Sequence, residues 1–225
     1  MRCAKVIRST VFDCTMTESL RVRDFWNQKF AGQAYKYGEQ PNAFLVQQCG
    51  QVPAGARVLV PGDGEGRNGV WLAEQGYQVH SVDCSEVGLE KGRALAERRG
   101  VVVDWVHADL TTWAPTASHF DAVVVCYLHL PSATRPLVMQ HLLHALKPGG
   151  VFILEAFHPS QLGLTSGGPK DVDLLYTLEA LRADLRAAGV SGHEFVATEC
   201  DTTLDEGPFH QGLARVTRLV WQRQI

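Results

Sequence analysis

Val58-Leu59-Val60-Pro61-Gly62-Asp63-Gly64-Glu65-Gly66-Arg67-Asn68-Gly69 is the most informative stretch of this 225-residue chain. Together with Ala56 and Arg57, its first half makes a short Val-rich run at 56–61, with the apolar, β-branched character of a buried strand. Its second half places glycine at 62, 64, 66 and 69. Glycine lets the backbone turn through left-handed conformations and approach a ligand closely. A helix expected at 67–75 and closed by Gly76 turns its N-terminus toward negative charge. Asp83 follows about twenty residues on, where a carboxylate can take both ribose hydroxyls of a bound nucleotide. The spacing Gly64-x-Gly66-x-x-Gly69 suits a dinucleotide as well as another adenosyl cofactor, so the glycines alone do not choose.

Working outward, strand and helix alternate from residue 56, the sign of a mostly parallel α/β sheet covered on both faces. Further strands are expected at 77–82, 101–107, 120–126 and 151–157. Ser85 caps a helix that Gly100 ends, and Thr177 opens another that Gly189 closes. Between them, Ser132 is the expected cap of a helix reaching Leu146, stopped by Lys147-Pro148-Gly149-Gly150. Two β-rich segments, 194–203 and 212–222, are joined by Asp205-Glu206-Gly207-Pro208 and read as an antiparallel pair. On the N-terminal side, 18–50 reads as two short helices around Tyr35–Asn42, with Asn42 a good N-cap. It forms a flank or lid on a single domain spanning 18–225. Residues 1–17 are expected to be a disordered tail, within which Met16 is an alternative start.

Ala108-Asp109-Leu110 closes the third strand, where a carboxylate can accept a hydrogen bond from an adenine amino group. With the glycine loop, Asp83, the Lys147–Gly150 turn and the terminal hairpin, it resembles the class I S-adenosylmethionine (SAM)-dependent methyltransferases over 56–157 and the hairpin. The resemblance implies a Rossmann-like, doubly wound sheet of seven strands in the order 3-2-1-4-5-7-6, the last antiparallel. It implies SAM, with S-adenosylhomocysteine as product, across the carboxyl ends of strands 1 to 4. The implied contacts are Gly62, Asp63, Gly64, Gly66, Arg67, Asn68, Asp83, Cys84, Ala108, Asp109, Leu110 and Cys126, with Tyr37 from the flank. This family usually carries an acid where Val60 stands, and Asp63 is expected to hold the methionine amino group instead. Tyr37-Gly38-Glu39-Gln40-Pro41-Asn42, Gly64-Glu65-Gly66-Arg67-Asn68 and His129-Leu130-Pro131 are similar to the tellurite-resistance (TehB-like) branch, related to thiopurine methyltransferases. That branch often lacks the strand-1 acid.

Bulk properties narrow the substrate. Hydrophobic residues make up 45% and charged residues 20%, ordinary for a soluble globular protein. With a net charge of −3 and no basic stripe, the chain lacks the surplus that drives phosphate binding, so nucleic acid is not expected as partner. No apolar run is long enough for a membrane span, and the first fifteen residues lack the apolar core of a secretory signal. The six cysteines are scattered without a C-x-x-C pair, which fits a reducing cytoplasmic compartment and no metal site. His141 and His144 lie three apart without a nearby carboxylate or thiolate. A small molecule is the expected acceptor, and a monomer or homodimer the expected state.

Two segments at the carboxyl end of the sheet carry candidate catalytic groups. His129 follows strand 4 as a base or substrate contact. Glu155 sits in an otherwise apolar strand, where an unpaired carboxylate is costly; its structural alternative is an ion pair with Arg135. A soft nucleophile such as a thiolate, selenite or tellurite needs no strong base, and these acceptors lead the expectation. An NAD(P)-dependent oxidoreductase, or a SAM-binding module with little catalysis, is the alternative.

Overall fold

The structure, a computed structural model, describes residues 14–225, and side-chain surroundings from residue 20 onward. Seven strands form one sheet: β1 (Arg57–Pro61), β2 (Gln78–Asp83), β3 (Asp104–His107), β4 (Phe120–Cys126), β5 (Leu146–Phe157), β6 (Gly192–Gly207) and β7 (His210–Arg223). Their order is β3-β2-β1-β4-β5-β7-β6, as expected. Adjacent strands from β3 to β5 run parallel, and β7 runs antiparallel to both β5 and β6. The helices are α1 (Cys14–Phe30), α2 (Ala43–Gln48), α3 (Arg67–Glu74), α4 (Glu86–Arg99), α5 (Arg135–Ala145) and α6 (Leu178–Ala187).

Strand alternation explains why the central strands read as unbroken apolar runs. Val58 and Val60 face a core built with Val70, Leu72 and Leu95 from α3 and α4, and with Phe44 and Leu45 from α2. Leu59 faces the other way, into a core with Val138, Leu142, Leu181 and Leu185 from α5 and α6. A third cluster, Phe157, Leu175, Leu204, Ala214 and Val216, lies under Tyr127 beyond the end of β4.

Caps confirm several boundaries. Ser85 accepts from Gly88 N and Thr177 from Ala180 N, while Gly100 ends α4 in a left-handed turn. Asn42 Oδ1 accepts from Leu45 N at the start of α2.

Other boundaries move. Ser132 does not cap α5: Pro136 occupies the first turn, a position its missing N–H tolerates, so the helix begins at Arg135 behind Thr134. The Lys147–Gly150 segment is counted within β5, not as a separate stop. The hairpin is longer than expected. Its turn is Pro208-Phe209, and Asp205, Glu206 and Gly207 belong to β6. The flank also starts earlier, because α1 makes 14–17 helical; the expectation for 1–13 lies outside the described residues. No helix among the described residues is long and apolar enough to cross a membrane.

Candidate active site

The glycine loop leaves β1 beside the end of β2, where Gly62 N donates to Val82 O at 2.7 Å. Asp83 then stitches the crevice together: one carboxylate oxygen accepts from Gly64 N and the other from Ser85 N, each at 2.8 Å. A carboxylate has about four acceptor sites, so these two bonds do not exhaust it. Burial pushes the Asp83 carboxyl up, against the backbone donors that pull it down. Leu20, Arg23, Cys84, His107, Ala108 and Asp109 line an adjoining cavity of about 210 Å³. Asp109 Oδ1 also accepts from the backbone and hydroxyl of Thr111. Burial pushes the Cys84 thiol up to about 12, which makes it a wall and not a nucleophile. An acid after β2 and an acid on the cavity wall after β3 fit an adenosyl group.

Several residues expected at the cofactor have structural surroundings. Asp63 is buried, and its Oδ2 accepts from Ser81 Oγ at 2.8 Å and Gly69 N at 3.2 Å. Its carboxylate braces the loop from behind, and burial pushes its pKa up to about 7. A Cβ on Gly66 would lie 2.7 Å from Trp105 and 2.9 Å from Gly92, so this glycine lets α3 pack closely on α4. Leu110 and Cys126 are buried in the two cores.

The loop's polar side chains hold the lid. Glu65 accepts from Lys36 N at 2.7 Å and pairs with Lys91. Arg67 donates to Gln40 O at 3.0 Å, and Asn68 Oδ1 accepts from Asn42 N at 2.9 Å. Arg67 and Asn68, expected on the cofactor, are thus turned toward the segment between α1 and α2. From the opposite side the hairpin closes on the same segment: a Cβ on Gly38 would strike the carbonyl of Glu206, and one on Gly207 would strike Tyr37. At the end of α1, Phe30 covers the glycine loop, 2.9 Å from where a Gly64 Cβ would be.

A buried polar cluster lies at the carboxyl ends of β4 and β5. Glu155 accepts from Asn42 Nδ2 and from the Tyr127 hydroxyl, each at 2.7 Å, and pairs with Arg218 directly across from it on β7. Arg135 is not its partner, but pairs with Asp184 of α6. Tyr127 leaves β4 with φ of +55°, a left-handed conformation that an aromatic residue rarely adopts. Such strain clusters at functional sites. His129 Nδ1 lies 2.7 Å from Leu174 O, so that nitrogen carries the proton and Nε2 the lone pair. Nε2 is buried without a partner among the described residues, and burial pushes this imidazole down to about 4.

Two residues escaped the sequence reading. Glu206 has no register partner between Asp205↔Gln211 and Gly207↔His210, the mark of a β-bulge. Its carboxylate accepts from Asn42 Nδ2 (3.0 Å), Ala43 N (3.2 Å), Arg67 (2.7 Å) and His210 Nδ1 (3.2 Å). Burial works against its charge, but His210 and Arg67 prevail and bring it down to about 2. The His210 ring centroid lies 4.5 Å from Tyr127, 4.6 Å from Tyr37 and 5.5 Å from Phe157. The one sequence signal was the period of two that carries Leu204 and Glu206 onto the same side, hidden by a segment that read as a turn. Among the described residues no group of three or more His, Cys, Asp or Glu could hold a metal ion.

A sheet of this order, with a glycine loop after β1 and acids after β2 and β3, defines a class I methyltransferase fold. A methyltransferase-domain family matches residues 58–150. A thiopurine S-methyltransferase of Legionella pneumophila is 26% identical over 198 residues, covering 76% of this chain and 90% of that one. TehB from Haemophilus influenzae has the same fold, with a TM-score of 0.65 at 16% identity over 90% of this chain and 67% of that one. So does magnesium protoporphyrin IX methyltransferase from Synechocystis, solved with S-adenosylhomocysteine (TM-score 0.64, 19% identity, 92% and 100% covered). Residues 58–150 thus carry a methyltransferase domain, and the sheet has the fold of SAM-dependent methyltransferases. The matched domain decides the choice the glycine spacing left open, in favour of SAM over a nicotinamide.

Proposed function

We propose that this enzyme methylates a small acceptor whose nucleophile is soft, a thiol or a chalcogen oxyanion. The observation that carries the reading is the wall at the ends of β4, β5 and β7. It is built from the rings of Tyr127, His129, Phe157, Tyr176 and His210, with Tyr37 laid over it from the lid. Its two carboxylates, Glu155 and Glu206, are both saturated by donors. A cluster of rings and neutral imidazoles suits an acceptor that is small and polarisable, which needs no charged group beside it.

When bound, SAM supplies an electrophilic methyl group on a sulfonium centre. In this reading Asp83 takes the ribose hydroxyls and Asp109 the adenine edge. Glu155 acts by position: with Arg218 it holds the Tyr127 hydroxyl, so the ring faces the cluster. His129 offers a neutral Nε2 lone pair to the acceptor. The thiopurine and TehB relatives are compatible with a soft acceptor.

Calorimetric titration with SAM and S-adenosylhomocysteine, followed by turnover on small thiols, selenite, tellurite and unmodified tRNA, tests the proposal. Methylation of a thiol or chalcogen acceptor alone supports it. Turnover on tRNA with none on the small acceptors sinks it.

A further inference from the structure

We propose that His210, oriented by Glu206, is the general base that takes the proton from a thiol acceptor. The inference rests on the methyltransferase reading above and names the group that reading left open.

Four observations support the pair. First, Glu206 Oε2 lies 3.2 Å from His210 Nδ1. A carboxylate only accepts, so Nδ1 holds the proton and Nε2 carries the lone pair. Second, the side chain is only 4% exposed, and the hydrogen bond it makes with Glu206 engages Nδ1, on the other side of the ring from Nε2. Third, the imidazole touches Tyr37 of the lid, Tyr127 after β4 and Phe157 at the end of β5, which is the acceptor side of the sheet. Fourth, Glu206 is the bulged residue of the hairpin, a device that re-aims a side chain.

His129 has half of this arrangement. Its Nδ1 is held by the neutral carbonyl of Leu174, whereas Glu206 offers His210 a full negative charge to stabilise the imidazolium. Other groups act on His210 from every side: Arg67 of α3, Glu155 of β5, Glu206 of β6, the Tyr127 hydroxyl after β4, Tyr37 of the lid, and His129. Burial, the largest influence, lowers its pKa and keeps it neutral near pH 7, as a base must be.

The step balances. The thiol S–H bond breaks, its proton passes to Nε2, and the sulfur electron pair forms the new bond to the methyl carbon. The methyl–sulfonium bond breaks with its electrons returning to sulfur, leaving a neutral thioether. The imidazolium then gives its proton to water.

The test compares an alkyl thiol, protonated near pH 7, with 4-nitrobenzenethiol, which is already ionised there. His210→Gln should lose on the order of 100-fold or more in kcat/KM on the alkyl thiol. It should change little on the ionised thiol and bind SAM normally by calorimetry. In the unsubstituted protein, NMR titration of the His210 imidazole should coincide with the acid limb of kcat/KM for the alkyl thiol, and no such limb should appear for 4-nitrobenzenethiol. Equal losses on both thiols, no loss on either, or an acid limb unrelated to the His210 titration overturns the base assignment and leaves the methyltransferase reading standing. SAM binding without methylation of either thiol by the unsubstituted protein removes the thiol acceptor, and this proposal with it.

Discussion

Asp63 and Asp83 lie in the same crevice, yet their carboxylates do different work. Asp63 is held near 7 against an ordinary 3.8, so the folded chain keeps its proton where the unfolded chain has lost it. Its favourable contribution is complete below about pH 4 and is lost as pH rises through about 7, an effect on the order of kcal/mol and not tenths. Asp63→Asn keeps an acceptor for Gly69 and should raise Tm more at about pH 8 than at about pH 5. An equal change at both values shows that the buried carboxylate is charged throughout. Asp83→Ala should weaken SAM binding by about 1.5–3 kcal/mol, the worth of a charge-assisted hydrogen bond. Unchanged affinity in a folded variant takes the ribose contact away from this residue. Both aspartates were legible as loop acids, but that Asp63 is taken up by Ser81 and Gly69 is a matter of packing and not of spacing.

The hairpin β6–β7 and the lid are the elements on which the site closes. Glu206 joins them, because its four donors are Asn42 of the segment before α2, Ala43 of α2, Arg67 of α3 and His210 of β7. Its folded pKa of about 2 lies below the ordinary 4.5, so its contribution is present above about 4.5 and lost as pH falls toward 2. Glu206→Gln should flatten that acid limb of stability. It should also speed hydrogen exchange at 36–43, the segment that Glu206 and the glycine loop hold between them. Unaltered exchange there means that Glu65 and Asn68 hold the lid alone. Arg218→Met would strand Glu155 without its cation and should cost about 3–5 kcal/mol in urea unfolding. A loss below about 1 kcal/mol would show that Asn42 and Tyr127 satisfy the carboxylate by themselves. None of these partnerships follows from the sequence, because residues 42, 67, 155, 206 and 218 meet only once the sheet has been assembled.

At the scale of the whole molecule, the proposed cofactor site lies where strands from both halves of the sheet end, so occupancy should stabilise the entire cooperative unit. S-adenosylhomocysteine at about one hundred times its Kd should add about 2.7 kcal/mol. For a domain of this size that corresponds to a rise of roughly 5–10 °C in Tm. Calorimetric scans with and without the ligand measure it. A rise confined to a separate low-temperature transition would show that the lid and sheet unfold independently.

Local chemistry was enough to determine the strands, the glycine loop and the caps at Asn42, Ser85 and Thr177, while the order of the sheet and the class of cofactor came with the family resemblance that those motifs carry. Those features depend on neighbours along the chain: a period of two or 3.6, a left-handed glycine, a hydroxyl three residues before an amide. The polar and aromatic cluster at the ends of β4 and β5 was decided only in three dimensions. Arg67 and Asn68 turned to the lid, Arg135 went to Asp184 and Arg218 took its place beside Glu155. The Glu206–His210 pair emerged from a segment that reads as a turn. A buried charge takes whichever partner the packing brings within reach, and that is set by register and bulge across strands far apart in sequence.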